Sequence, residues 1–334
     1  MLSESEFTVK GHGVHTAYLE MKNALKQRKN IDIETNTKRA ADIIHAQTIG
    51  FYVQRHLRKH GKAKKVISVH IIPESLIGSI KFAKFYLPIM KIYMKLFYNQ
   101  ADLLLACSGK VAKILKEELH VKPRVEILYN FVDMKKYRLK NGEREKARKK
   151  LKLSENDFVV IGNGQLQPRK RVDSFINVAK NLPEIKFIWL GGIPFKSLGD
   201  SSGKMEKMIK SAPENVHFTG IIPLEKVRNY LAAADVFFLP AEQENHPMSV
   251  LEAAGAGLPI ILRDISEYND TFRGDAIMGN DANFAKKIGK LHSDKAYYEK
   301  AKVGSARIAK RFDSVSGGRQ LEDFYRELIE DKPK

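Results

Sequence analysis

At 334 residues, 43 % of them hydrophobic, the chain exceeds the roughly 250–300 residues at which single hydrophobic cores stop growing, so two domains are expected and two cores can be filled. The 58 Lys and Arg against 39 Asp and Glu, a formal charge of +19, imply attraction to something anionic: nucleic acid, an anionic membrane face or a phosphorylated substrate, with a lysine-rich composition as the plain alternative. One cysteine, Cys107, excludes an intramolecular disulfide and is consistent with a reducing compartment, and no run approaches the ~18–20 uninterrupted apolar residues of a membrane span.

Short apolar runs alternate with helical stretches along the chain, the pattern of βαβ units. Met1 falls almost inside a first strand, which predicts a slightly short start, and no basic region followed by an apolar block marks a signal peptide. Gly11-His-Gly-Val-His-Thr16 is a glycine-rich turn opening a helix, where backbone can approach a phosphate. Strands are predicted at 42–45, 65–70 and 102–108, the second ending on His70 and the third carrying Cys107 as a buried thiol. Between them, residues 81–98 read as a helix on which Lys81, Lys84, Lys91 and Lys95 fall within about 80° of arc at about 100° per residue. The rest of that wheel is aromatic or aliphatic, and Pro88 starts a second helix or kinks the first. Such a stripe suits the interface of an anionic bilayer, or else a buried helix with one solvated lysine face. Arg55, Arg58, Lys59, Lys62, Lys64 and Lys65 add to a basic patch in the same half.

Residues 133–156 are charged and turn-rich and break the rhythm, placing a domain boundary near 135. Strands resume at 158–162, 186–190, 216–219, 235–239 and 259–262, and their continuous hydrophobicity is what a parallel sheet covered on both faces needs. The chain ends in an amphipathic helix whose Phe324, Leu328 and Ile329 lie close to one stripe.

The most informative segment runs from the end of the strand at 235–239 into a helix and carries Glu244 and Glu252, eight residues apart. Ligands of open α/β sheets bind beyond the carboxyl ends of strands, and carboxylates accept hydrogen bonds from sugar hydroxyls. Two glutamates at that spacing, taken alone, are a solvated pair more often than a site. Their neighbours change the reading: Ala253-Ala-Gly-Ala256 and Gly257-Leu-Pro259 follow, Asn215-Val-His-Phe-Thr-Gly220 and Ala234-Asp-Val-Phe-Phe-Leu-Pro240 precede, and Ile161-Gly-Asn-Gly-Gln-Leu-Gln-Pro-Arg-Lys-Arg171 sits at an earlier strand-to-helix turn. Together they resemble the donor-binding signature of the retaining glycosyltransferases of family 4, group 1. Local features at 32–36 and 262–268 are similar to the branch of bacterial glycolipid synthases that glycosylate diacylglycerol or its monoglucosyl form.

This resemblance implies the α/β GT-B fold: two Rossmann-like domains with parallel sheets facing across a cleft, an acceptor-binding domain at 1–135, a nucleotide-sugar-binding domain at 136–315 and a C-terminal helix at 316–334 returning to the first. It implies that Glu252 binds the nucleotide ribose, that Glu244 contacts the donor sugar near the reacting carbon, and that His70 lines the same site as a catalytic residue. Gly13 and Val14 match a loop that approaches the donor phosphates, with His12 in place of a glycine. Gly164, Leu166 and Lys170 match the phosphate-side pattern, but Gln165 replaces an arginine and Arg171 a glycine. A cation must still offset the departing diphosphate, a role expected of Lys170 helped by Arg169, although Arg169 and Arg171 also suit a solvated helix start. His246-Pro247 replaces a phenylalanine-glycine pair. Proline lacks the N–H, so Met248 or Ser249 is expected to donate instead, and His246 is a sugar contact or a packed aromatic.

The function so implied is α-retaining transfer of a hexose from a nucleotide-sugar, UDP-glucose or UDP-galactose, to a lipid acceptor at the cytoplasmic face of the membrane, with no cofactor and no metal. Transfer to a surface polysaccharide or teichoic-type acceptor is the alternative. A non-catalytic nucleic-acid-binding α/β protein is the remote one, since the basic residues lack an interleaved aromatic RNA-binding motif.

Overall fold

The computed structural model describes residues 1–7, 13–59, 62–76, 83–193 and 200–330. They form two compact α/β units, one of Met1–Asp133, Asn245–Met248 and Phe312–Lys334, the other of Met134–Glu244 and Ser249–Arg311.

Among the described residues the first unit holds a parallel sheet of β1 (Ile43–Ala46), β2 (Lys64–Val69), β3 (Leu103–Ala106) and β4 (Arg124–Ile127), in that spatial order. Successive side chains of a strand point to opposite faces, and both faces are apolar. Ile67, Val69, Leu104 and Ala106 meet Phe97, Tyr98 and the buried Cys107 on one side. On the other, Val66, Leu103 and Leu105 meet Met21 and Leu25 of the helix Gly13–Lys26 together with the C-terminal helix Ser314–Glu330. The C-terminal helix buries Leu321, Tyr325 and Leu328, at i, i+4 and i+7; of the stripe expected from sequence, Leu328 is buried and Phe324 packs against the same core, while Ile329 is half exposed. The expected first strand is a single parallel bridge from Leu2 to Ala46. Ser3 and Ser5 hydrogen-bond each other at 2.6 Å, and residues 4–6 coil into a short 3₁₀ turn instead of extending the ladder. β4 went unread because it is an edge strand, paired only with β3, and alternates charged with apolar residues.

The second unit has a parallel sheet in the order β10-β9-β8-β5-β6-β7, formed by Val159–Asn163 (β5), Lys186–Leu190 (β6), Val216–Phe218 (β7), Val236–Leu239 (β8), Ile260–Arg263 (β9) and Ile277–Gly279 (β10). The chain winds outward from β5 in one direction, then crosses back to β8 and winds outward in the other. This is the doubly wound Rossmann arrangement, whose order reverses between β5 and β8. Its core is aromatic: Phe175 stacks on Phe238 at 5.7 Å and meets Trp189 edge-on at 5.1 Å. β10, only three residues long, carries too short an apolar run to be read from sequence.

The charged stretch before β5 is ordered by one buried cation. The helix Glu143–Lys150 packs on Leu224–Ala233, and Arg148 is buried, donating to the carbonyls of Ser154 and Ala233 and to Asp235 Oδ2. Asp235 also accepts from Arg144 at 2.5 Å and from the Val159 backbone N–H at 2.8 Å. The aspartate of the 234–240 motif therefore fastens helix to sheet. Removing it leaves the Arg148 charge buried and uncompensated, which costs about 3–5 kcal/mol. Asp235→Ala is expected to lower unfolding stability by that order in urea, followed by the fluorescence of Trp189, the sole tryptophan; a loss below about 1 kcal/mol would contradict the role.

Candidate functional site

In the second unit the loops leaving β5 and β8 emerge at the point where strand order reverses, the position at which open α/β sheets bind ligands. The first loop runs through Gly164 to a 3₁₀ turn, Pro168–Lys170, and then to Arg171 in the left-handed region at φ 50°. The second carries Glu242, Gln243 and Glu244. The loops are stitched together residue by residue. Glu242 N–H donates to the Arg169 carbonyl at 2.9 Å. Arg169 Nη1 donates to the Gln243 carbonyl at 3.1 Å and to Glu244 Oε1 at 3.3 Å. Lys170 Nζ pairs with the same Glu244 oxygen, and Arg171 Nη1 reaches Glu242 Oε2 at 3.4 Å.

Lys170 is 8 % and Glu244 7 % exposed. Burial pulls the Lys170 ammonium below its usual value, with Arg169 adding to the effect and Glu244 opposing it. Burial also disfavours the Glu244 carboxylate, but Lys170 and Arg169 outweigh it and hold the group below the ordinary carboxylate range. One carboxylate between two cations leaves a surplus positive charge in a poorly solvated place, which is what an anionic phosphate group requires. Gly164 makes room for this cluster: a Cβ there would lie 3.1 Å from Lys170 Cε.

Gln165 and Arg171, where the sequence departs from the expected pattern, both have structural partners. Gln165 Oε1 accepts from Gln167 Nε2, and Gln167 Oε1 accepts from Arg169 Nε, both at 3.0 Å. Arg169 is thus held by a short amide chain that starts at Gln165. Arg171, held at a positive φ, pairs with Asp173 and Asp281 as well as Glu242. Sequence reasoning missed Gln167 and Glu242, whose only signal was proximity to the cations. It noted Tyr268 merely as a branch marker; Tyr268 is fully buried, its hydroxyl pushed up by burial and then by the Glu244 charge.

Glu252 is buried on the helix Met248–Gly255, and Ser249 is half-buried in its first turn. Met248 is buried and belongs with the first unit, as does His246. The His246 ring packs between Tyr129, 5.6 Å away, and Phe312, 4.7 Å away, while its carbonyl accepts from Asn130 Nδ2 at 2.8 Å. His70, half-buried beyond β2, meets Gln47 Oε1 at 3.2 Å, and its carbonyl accepts from Asn245 Nδ2 at 2.9 Å. Gly13 opens the first helix and is exposed; Gly11 and His12 lie outside the described residues.

The basic helix differs from expectation. Lys81 and the Lys84 side chain lie outside the described residues. The helix Ala83–Tyr98 runs on through Pro88, and Lys91 lies 3.8 Å from Glu74 and 3.6 Å from Glu118, so its charge is partly neutralised. Lys95 is half-exposed. The most outward line is apolar: Phe85, Ile89, Ile92 and Leu96 are 61–81 % exposed and share one stripe at helical spacing.

The pair predicts a pH response. Glu244 has a lowered value in the folded chain, so its stabilisation is complete above its ordinary 4.5 and is lost as pH falls through the lowered value. In Lys170→Met, burial is opposed by Arg169 alone, and the acid loss of stability should begin at higher pH than in the parent. Urea titrations from about pH 3 to 7 measure this; coincident acid limbs would contradict the pairing.

Comparison with known proteins identifies the family. Residues 143–306 match the family of glycosyl transferases group 1, and residues 12–136 match Glycosyltransferase Family 4. The chain is 36 % identical over 279 residues to the alpha-galactosylglucosyldiacylglycerol synthase of Streptococcus pneumoniae, covering 82 % of this chain and 74 % of that protein. It is 29 % identical over 299 residues to the processive diacylglycerol alpha-glucosyltransferase of Acholeplasma laidlawii, covering 88 % of each. The structure of HepE from Anabaena in complex with UDP-glucose superposes with a TM-score of 0.75 at 18 % identity over 98 % of both chains, a likeness of fold. The chain is a glycosyltransferase of the GT-B fold and belongs to family 4, group 1.

Proposed function

We propose that the enzyme moves a hexose from UDP-glucose or UDP-galactose to a membrane glycolipid acceptor, diacylglycerol or glucosyl-diacylglycerol, with retention at the anomeric carbon. The observation that carries the donor half is the buried Lys170–Glu244–Arg169 cluster at the strand reversal of the second unit. Its surplus positive charge supports the departing diphosphate without a metal: Lys170 and Arg169 stabilise charge that grows as the bond to the sugar breaks, and Glu244 orients the sugar while fixing the lysine. Glu252 takes the ribose, and His70 the sugar. Gly13, Gly164 and the backbone N–H groups of Met248 and Ser249 serve the donor, with His246 as the aromatic beside them. The acceptor hydroxyl attacks from the face the diphosphate leaves, and the leaving phosphate takes its proton.

The acceptor half rests on the two relatives named as diacylglycerol glycosyltransferases and on the surface of the first unit. The reading is peripheral binding at the cytoplasmic face; among the described residues no helix is long and apolar enough to cross a membrane. The outward stripe Phe85, Ile89, Ile92 and Leu96 suits the acyl boundary, and Lys95 with the exposed Arg55, Arg58, Lys59 and Lys62 suits anionic headgroups.

Incubation with UDP-glucose or UDP-galactose and either diacylglycerol or glucosyl-diacylglycerol, with products identified by mass, tests the reaction; transfer only to a polysaccharide or teichoic-type acceptor would overturn it. Flotation tests the surface. The chain is expected to float with phosphatidylglycerol vesicles, and a Phe85→Ser, Ile89→Ser, Ile92→Ser variant should lose about tenfold in binding or more. Unchanged flotation of that variant would contradict the assignment.

A further inference from the structure

The carboxyl ends of four neighbouring strands of the second unit are tied together by one arginine and one aspartate that the proposed mechanism does not use. Arg263 is the last residue of β9, and Asp281 follows β10. Arg263 Nη2 donates to Asp281 Oδ1 at 2.6 Å and Nη1 to Oδ2 at 3.3 Å, and the guanidinium lies over the Phe284 ring, 5.3 Å from its centroid. Each partner reaches one of the donor loops. Arg263 Nε donates at 2.6 Å to the carbonyl of Pro240, where the second loop leaves β8. Asp281 Oδ2 accepts at 3.3 Å from Nη2 of Arg171, where the first loop ends. Ser174, buried in the first turn of the helix Val172–Lys180, closes the circuit: its hydroxyl accepts from Arg263 Nη2 at 2.9 Å and donates to Asp281 Oδ1 at 2.6 Å.

A guanidinium carries five N–H groups in one plane and no acceptor. Here a carbonyl, a hydroxyl and both oxygens of one carboxylate take them up, so partners from β8, β10 and the helix after β5 fix the Arg263 plane. The Asp281 carboxyl is held below the ordinary carboxylate range, first by the bond from Arg263, with Ser174 and Arg171 acting in the same sense and burial opposing. The strands involved are neighbours in the order β10-β9-β8-β5, so each tie spans adjacent strands. The Lys170–Glu244 pair joins the two loops near their middle. Pro240 precedes Glu244 on one loop and Arg171 follows Lys170 on the other, so the Arg263–Asp281 pair holds the far end of each.

Two effects of Asp281 oppose each other. By Coulomb's law alone an anion near a phosphate site weakens phosphate binding, and its removal should strengthen it. The Asp281 side chain, however, is 49 % exposed and paired with two arginines, so that through-space term is screened. Misplacing a binding group by about 1 Å can cost about 10²-fold, and the geometric effect is therefore the larger. We infer that Asp281, acting with Arg263, is a positioning residue for the donor diphosphate: it fixes the ends of the two loops that carry Arg169, Lys170 and Glu244. The inference rests on the reading that Lys170 and Arg169 hold the diphosphate. Neither Arg263 nor Asp281 signals this role in the sequence, because their pairing forms only when β9 lies beside both β8 and β10.

The test is calorimetric titration with UDP and with uridine of the wild type, Asp281→Ala, Lys170→Met and the double variant. Asp281→Ala is expected to weaken UDP binding about fivefold and leave uridine binding unchanged, which also reports that the variant is folded. In the Lys170→Met background the same substitution should weaken UDP binding by less than about twofold more, since a residue that acts through Lys170 loses its effect once the lysine is gone. Asp281→Asn, which keeps the shape but not the charge, should recover part of the affinity. Unchanged or tighter UDP binding in Asp281→Ala, beside a loss in Lys170→Met, would overturn the inference and leave the donor reading standing. Equal weakening of UDP and uridine, or the same fivefold loss in both backgrounds, would mark a general loosening of the fold and overturn it as well. Undiminished UDP binding in Lys170→Met would overturn the donor reading itself.

Discussion

The site depends on a single carboxylate held between two cations. Glu244 is buried and would be costly as an unpaired charge; Lys170 and Arg169 make it an anion, and it in turn makes a buried lysine tolerable. The pairing also joins two loops that leave different strands. The backbone bond from Glu242 to Arg169 and the Arg171–Glu242 pair repeat the link on either side. Three consecutive cations therefore grip three consecutive residues of the opposite loop, and the surplus positive charge is fixed in place before any substrate arrives. Preorganisation of this kind matters in phosphate chemistry because charge develops at the diphosphate only as the bond breaks, and a donor already in position needs no reorganisation then.

The departures from the family pattern are compensated locally. Gln165, a departure from the expected pattern, begins an amide chain that ends on Arg169 Nε. Arg171 sits in the left-handed region and directs its side chain to Asp173, Asp281 and Glu242. His246, in place of a phenylalanine, retains aromatic packing against Tyr129 and Phe312.

Much of the fold was legible because parallel strands buried on both faces must be apolar throughout; β2, β3, β5, β6, β8 and β9 all announce themselves this way. β4 and β10 did not, being an alternating edge strand and a three-residue one. Glu244, Glu252 and Lys170 were visible only through spacing and the glycine and proline positions around them. Their mutual contacts were not, since ion pairing between loops depends on strand order rather than on sequence distance. The lysine stripe of 81–98 was read from the wheel alone, which gives no sign of Glu74 and Glu118 beside Lys91 or of which apolar side faces outward.

The central claim is that Lys170 and Arg169 hold the donor diphosphate, and it is tested most directly by comparing ligands that differ only in phosphate. Calorimetric titration of the wild type and Lys170→Met with UDP and with uridine isolates that contact. The account predicts that UDP binding weakens about tenfold or more in the variant while uridine binding is unchanged. Equal weakening of both ligands, or undiminished UDP binding, would contradict it.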